Sequence, residues 1–133
     1  MYSMKTLIKG YKREIDALQN AQSYTLNSKN IDKHVKPSVR GIYAFYHNGT
    51  LIYIGQGGGN IDQNTTSQTL KTRLKQYTGE NDSGTKNVKN YLKENGVSHS
   101  SDLEFSFISI ADCRLIKIIE LVMIDYFKPQ VNK

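Results

Sequence analysis

Apolar positions along the chain fall into two rhythms. Leu7, Tyr11, Ile15 and Leu18 return at helical spacing and predict an amphipathic helix over 3–20. Residues 21–39 are polar, include Pro37 and read as a loop. Two tyrosine-rich apolar runs, 40–47 and 50–56, flank Asn48-Gly49, a strong short-range signal for a β-hairpin. Residues 57–67 begin with three glycines, continue polar and read as a flexible loop. Leu70, Leu74 and Tyr77 share one helical face, with Ser67 the expected N-cap. Val88, Tyr91 and Leu92 place another short helix over 84–95, ended by Gly96. Leu103, Phe105 and Phe107 alternate with polar residues and predict a third strand. A last helix is capped by Asp112, runs to about Phe127 and stops before Pro129. The expectation is an α+β fold: a small three-stranded antiparallel sheet flanked by helices, with an N-terminal helical extension.

At 133 residues the chain suits one core, divided as a basic extension (1–39) and a main domain (40–133). The single cysteine, Cys113, permits no internal disulfide and sits in an apolar run, so it reads as core. Residues 1–10 are too polar for a signal peptide. The densest apolar stretch, 115–127, carries Lys117, Glu120 and Asp125, which argues against a membrane span. The expectation is an intracellular, cytoplasmic protein, its Lys- and Asn-rich composition pointing to a microbial or phage source. The net charge is +6, and residues 1–40 hold eight basic against three acidic residues. That excess favours an acidic partner, nucleic acid first.

Chemistry enters through a few polar residues on these elements. Arg73 carries a permanent charge and a planar fork for phosphate oxygens. On its own it reads as a solvated helix arginine beside Lys71 and Lys75. Glu120 sits among Ile116, Ile119, Met123 and Ile124, and on its own reads as salt-bridged to Lys117. Tyr43 and Tyr53 on their own read as strand packing. His34, His47 and His99 lack metal-ligand spacing and receive no role.

Together these residues carry a resemblance. GIY at 41–43 and YIG at 53–55, in that order and at that spacing, resemble the two naming motifs of the GIY-YIG nuclease family. "LKTRL" at 70–74 looks like the family's arginine helix, and "IIELVMIDYFKPQVN" at 118–132 looks like its closing segment. "RLKQY" at 73–77 is similar to the version in bacterial excision-repair incision subunits. The resemblance covers roughly residues 40–132. It implies a metal-dependent endonuclease that hydrolyses DNA to 5′-phosphate and 3′-hydroxyl ends. The implied catalytic set is Tyr43, Tyr53, Arg73, Glu120 and Asn132. Glu120 would ligate Mg2+ or Mn2+, and one tyrosine, Tyr43 by preference, would deprotonate or orient the water. Lys71, Lys75, Gln56 and Tyr77 are expected to contact nucleic acid. A non-cleaving nucleic-acid-binding module and an RNA-cleaving nuclease are the alternatives; oligomeric state stays open. Gln56 stands where the family often has lysine, and the loop before Arg73 is longer than in compact members.

The tyrosine pair also sets a geometric condition. Directly opposite residues of a hairpin share a face. A two-residue Asn48-Gly49 turn with regular pairing would put Tyr53 on the face away from Tyr43. A three-residue loop, His47-Asn48-Gly49 with Gly49 in a bulge, is therefore expected.

Overall fold

The computed structural model describes residues 3–59, 69–78, 86–97 and 100–132. The expected Ser67 cap, most of the 57–67 loop and His99 lie outside these residues. In chain order the elements are α1 (Met4–Gly10), α2 (Lys12–Asn20), β1 (Tyr24–Thr25), α3 (Ser28–His34), β2 (Gly41–His47), β3 (Thr50–Gly57), α4 (Leu70–Lys75), α5 (Lys86–Glu94), β4 (Glu104–Ser109) and α6 (Cys113–Phe127). The four strands form one antiparallel sheet in the order β1-β4-β2-β3.

Three expectations about the N-terminal part change. The helix over 3–20 is two helices, broken at Tyr11 (φ −107°, ψ 21°) just after Gly10, a weak helix former. The 21–39 loop contains a strand and a helix. Asn27 caps α3, its side chain accepting from the Asn30 backbone N–H at 2.8 Å. β1 pairs with β4, Tyr24 opposite Phe105, and so adds a fourth strand to the expected three. A two-residue strand and a seven-residue helix are too short to show a period. The segment is nonetheless built into the fold, because Leu26, Ile31 and Val35 are all but fully buried.

The sheet separates two apolar clusters. On one face Tyr43, Phe45 and Tyr53 pack with Leu70, Leu74 and Tyr77, with Val88 and Tyr91 of α5, and with Leu26, Ile31 and Val35. On the other, Ile42, Ala44 and Ile54 meet Ile15 and Leu18 of α2 and the apolar side of α6, Cys113 included. β2 lies between β4 and β3 and is buried from Gly41 through Phe45, as a central strand covered on both faces must be. α6 starts from the Asp112 cap and ends at Lys128, which takes the left-handed conformation just before Pro129.

The hairpin meets its geometric condition by another route. His47 pairs with Thr50 and Tyr46 with Leu51, so the turn is Asn48-Gly49 alone, both residues at positive φ (52° and 82°). The three-residue loop does not form, because the twist of a two-residue turn with both residues left-handed matches the strands and Asn-Gly adopts it readily. Beyond it the register slips: Phe45 pairs with Tyr53 and Tyr43 with Gly55, leaving Ile52 as an extra residue in β3. The odd residue lies three positions past the turn rather than in it. Consecutive Ile52 and Tyr53 both enter the same cluster, which a regular strand would forbid. The Ile52 carbonyl accepts from the backbone N–H of Val131 at 2.9 Å, so the C-terminal segment pins the bulge.

Candidate active site

The bulge puts Tyr43 and Tyr53 on one sheet face, their ring centroids 6.2 Å apart. The glycines of the two triplets make room. A Cβ on Gly55 would lie 2.3 Å from the Cζ and hydroxyl of Tyr43, because that ring runs across its cross-strand neighbour. A Cβ on Gly41 would lie 2.0 Å from the Ile108 carbonyl oxygen in β4. Both glycines are thus steric requirements of the sheet.

The short helix α4, capped by the Thr69 hydroxyl, closes over this face. It brings Tyr77 into contact with Tyr43, the two hydroxyls 2.8 Å apart. Arg73 stands with its Cζ 5.5 Å from the Tyr77 ring centroid and donates through Nη1 to Gln76 Oε1 at 2.5 Å. One side of the guanidinium is therefore fixed by its own helix. Burial works against its charge, but the oxygens of Tyr77, Tyr43 and Tyr53 outweigh that and hold its pKa above the usual value. Tyr43 responds in the opposite sense. Burial, followed by Tyr77 and Tyr53, pushes its phenol well above the ordinary value, and Arg73 pulls it down only in part. Tyr43 is completely buried, whereas Tyr53 keeps 8% of its surface exposed.

Glu120 comes from α6, which packs along β3 and β2. It is half-buried and makes no hydrogen bond or ion pair with the described residues; the bridge to Lys117 suggested by their spacing is not formed. Burial raises its pKa to about 7, against the opposing pull of Lys117 and Arg73. Arg73 and Glu120 thus act on each other electrostatically although they lie far apart in sequence. No group of three or more His, Cys, Asp or Glu forms a ready-made metal cage among the described residues. A single desolvated, unpartnered carboxylate still fits one anchor for a hard divalent cation, whose remaining positions water and phosphate oxygens fill. Mg2+ or Mn2+ therefore fits the donor set at Glu120.

The other expected residues have different surroundings. Asn132 turns its side-chain amide onto the outer edge of β3: Oδ1 accepts from the Ile54 N–H at 2.7 Å and Nδ2 donates to the Ile54 carbonyl at 2.9 Å. Its polar atoms stand in for a missing neighbouring strand. Gln56 lies on the sheet face opposite Tyr43, paired with Ile42, and its Oε1 accepts from the Gly59 N–H at 2.9 Å. Lys71 and Lys75 both reach Oδ1 of Asp32 in α3, at 3.2 and 2.8 Å, and Lys75 also donates to the Ser28 hydroxyl. Tyr77 is buried against Tyr43 and Phe45. Gln56, Lys71, Lys75 and Tyr77, the four residues expected to contact nucleic acid, are thus each engaged within the chain.

Sequence reasoning missed Gln76 and Asp32. Gln76 carried a signal, its position three residues after Arg73 on one helix face. Asp32 carried none, since its partners lie some forty residues away on another element.

The antiparallel sheet and its flanking helices are those of the GIY-YIG fold. The chain resembles the GIY-YIG N-terminal endonuclease domain of UvrC from Thermotoga maritima, a structure bound to its catalytic divalent cation, magnesium. The identity is 23%, the TM-score 0.50, and the match covers 79% of this chain and 98% of that one. Two point mutants of the same domain, each holding the catalytic divalent cation, match with TM-scores of 0.50 at 22% and 23% identity and 97% coverage of their chains. No protein-family profile matches the chain, and no curated protein sequence does. No described helix is long and apolar enough to cross a membrane.

Proposed function

We propose that this protein is a metal-dependent endonuclease that hydrolyses DNA phosphodiester bonds and leaves 5′-phosphate and 3′-hydroxyl ends. The supporting observation is the convergence of an unpartnered, half-buried Glu120 with Arg73 and a pair of tyrosines, on a fold shared with the UvrC endonuclease domain.

A divalent cation at Glu120 supplies charge neutralisation at the phosphate and acidifies water. Arg73 binds a non-bridging phosphate oxygen, its fork steadied by Gln76 and the Tyr77 ring. Tyr43 orients rather than deprotonates, because its hydroxyl is committed to Tyr77 and burial opposes the phenolate. Tyr53, beside Tyr43 and 8% exposed, would act in its phenolate form, having first given up its proton to solvent, and accept the proton of the attacking water. This reverses the preference for Tyr43 drawn from the sequence. Asn132 serves by holding β3, and with it Tyr53, in register.

The test is incubation with plasmid, single-stranded DNA and RNA, each with Mg2+, Mn2+ or chelator. The expected result is metal-dependent nicking of DNA, with products that a ligase reseals. Glu120→Ala and Arg73→Ala are each expected to lose at least about 100-fold in rate. Tyr53→Phe is expected to cost more than Tyr43→Phe. Cleavage of RNA alone redirects the substrate, and a wild-type chain that cuts nothing across these conditions overturns the reading.

A further inference from the structure

The two lysines that the sequence nominates for nucleic acid are paired with Asp32, which raises the question of which other cations could meet a phosphate. Arg40, half-buried, and Lys117, exposed, make no side-chain hydrogen bond or ion pair with the described residues.

Both lie on the α6 side of the sheet. Gly41 pairs with Gly57, and the Arg40 carbonyl still accepts from Ile110 N–H at 2.8 Å, so Arg40 stands across from the turn that follows β3. Its stem crosses Gly58. A Cβ there would meet Arg40 Cγ at 2.5 Å, and Gly58 has a φ of +84° that only glycine adopts freely. The arginine stem is thereby held down while its head stays free. The next residue, Gly59, approaches Ile116 of α6: a Cβ would lie 3.0 Å from Ile116 Cγ2. Lys117 follows Ile116 and acts electrostatically on Glu120. Ile116 and Glu120 are one helical turn apart, about 6 Å along the axis, or one to two nucleotides of strand rise at about 3.4 Å each.

From this arrangement we infer that the nucleic-acid backbone leaves the reaction centre along α6 and the Gly57–Gly59 turn, with Lys117 and Arg40 contacting phosphates beside the scissile one, and that it does not cross the Lys71/Lys75 face of α4. The inference rests on the nuclease reading, since Glu120 defines where the path begins. α3 closes the alternative route: Asp32 places a carboxylate where a phosphate would otherwise bridge the two lysines.

Binding of fluorescently labelled duplex and single-stranded DNA is measured in chelator, across about 50 to 200 mM salt, with no cleavage possible. Arg40→Gln and Lys117→Gln are each expected to reduce the slope of log K against log salt by about 0.9 on duplex and about 0.7 on single strands. Arg40→Lys, which keeps stem and charge, is expected to restore the wild-type slope and so separates lost contact from lost folding. Lys71→Gln and Lys75→Gln are expected to keep that slope. The path is overturned if the α4 lysines lower the slope and Arg40 and Lys117 do not, if no variant changes it, or if wild type binds neither probe. Cleavage with unchanged slopes sinks the path and leaves the nuclease reading standing. The expected slopes in a protein that never cuts do the reverse.

Discussion

Glu120 is the residue at which burial and charge oppose each other most directly. Its carboxyl titrates near 7 in the folded chain, against an unperturbed value of 4.5. Between those values the folded state holds a proton that the unfolded chain has lost. Stability is therefore fully present below about pH 4.5 and falls as pH rises through 7, by up to about 3 kcal/mol. Urea midpoints at about pH 5 and about pH 8, with chelator, are expected to show this decline in wild type and not in Glu120→Gln. Equal declines in both proteins would remove Glu120 as its source. A divalent cation binds the ionised form, so added Mg2+ is expected to offset the loss most at the higher pH. Arg73 shows the complementary arrangement, its charge held by tyrosine oxygens and its orientation by Gln76.

At the scale of elements, the β3 edge determines whether Tyr43 and Tyr53 share one face of the sheet. Three contacts guard it: Val131 N–H on the bulge carbonyl, and both polar atoms of the Asn132 amide on Ile54. Asn132→Ala leaves a partly buried N–H and C=O unpaired and is expected to cost about 1–3 kcal/mol in unfolding free energy. Asn132→Asp keeps the acceptor but loses the donor, and is expected to fall between. If Asn132→Ala leaves stability unchanged yet abolishes cleavage, the residue acts on substrate instead of the strand. The hairpin itself was half legible. Asn48-Gly49 announced the turn, and the shared chemistry of Tyr43 and Tyr53 required an odd residue somewhere. Locating it at Ile52 needed the C-terminal segment, which local sequence does not bring there.

Across the whole molecule, the first forty residues belong to the core as much as to the surface. Ile15 and Leu18 fill one side of the sheet, Leu26, Ile31 and Val35 fill the other, and β1 extends its edge. A chain reduced to residues 40–133 loses five all but fully buried apolar side chains. At about 1.5–3 kcal/mol each, that is comparable with the whole margin by which a small domain is stable. The fragment is expected to show no cooperative unfolding transition by circular dichroism. A sharp transition with the full-chain midpoint would mean that the extension is dispensable.

The sequence by itself determined the long periodic helix α6 and its Asp112 cap, and the strands of the hairpin. Each of these is written in residues that lie close together in the chain, where spacing reports a face directly. Only the tertiary structure decided which polar groups are free. Lys71 and Lys75 look available until α3 brings Asp32 to them, as does the Asn132 amide until it pairs with the β3 edge. Arg40 looks unremarkable until Gly58 is seen beneath its stem. The availability of a charge depends on neighbours supplied by the fold, and their sequence separation leaves no period to read.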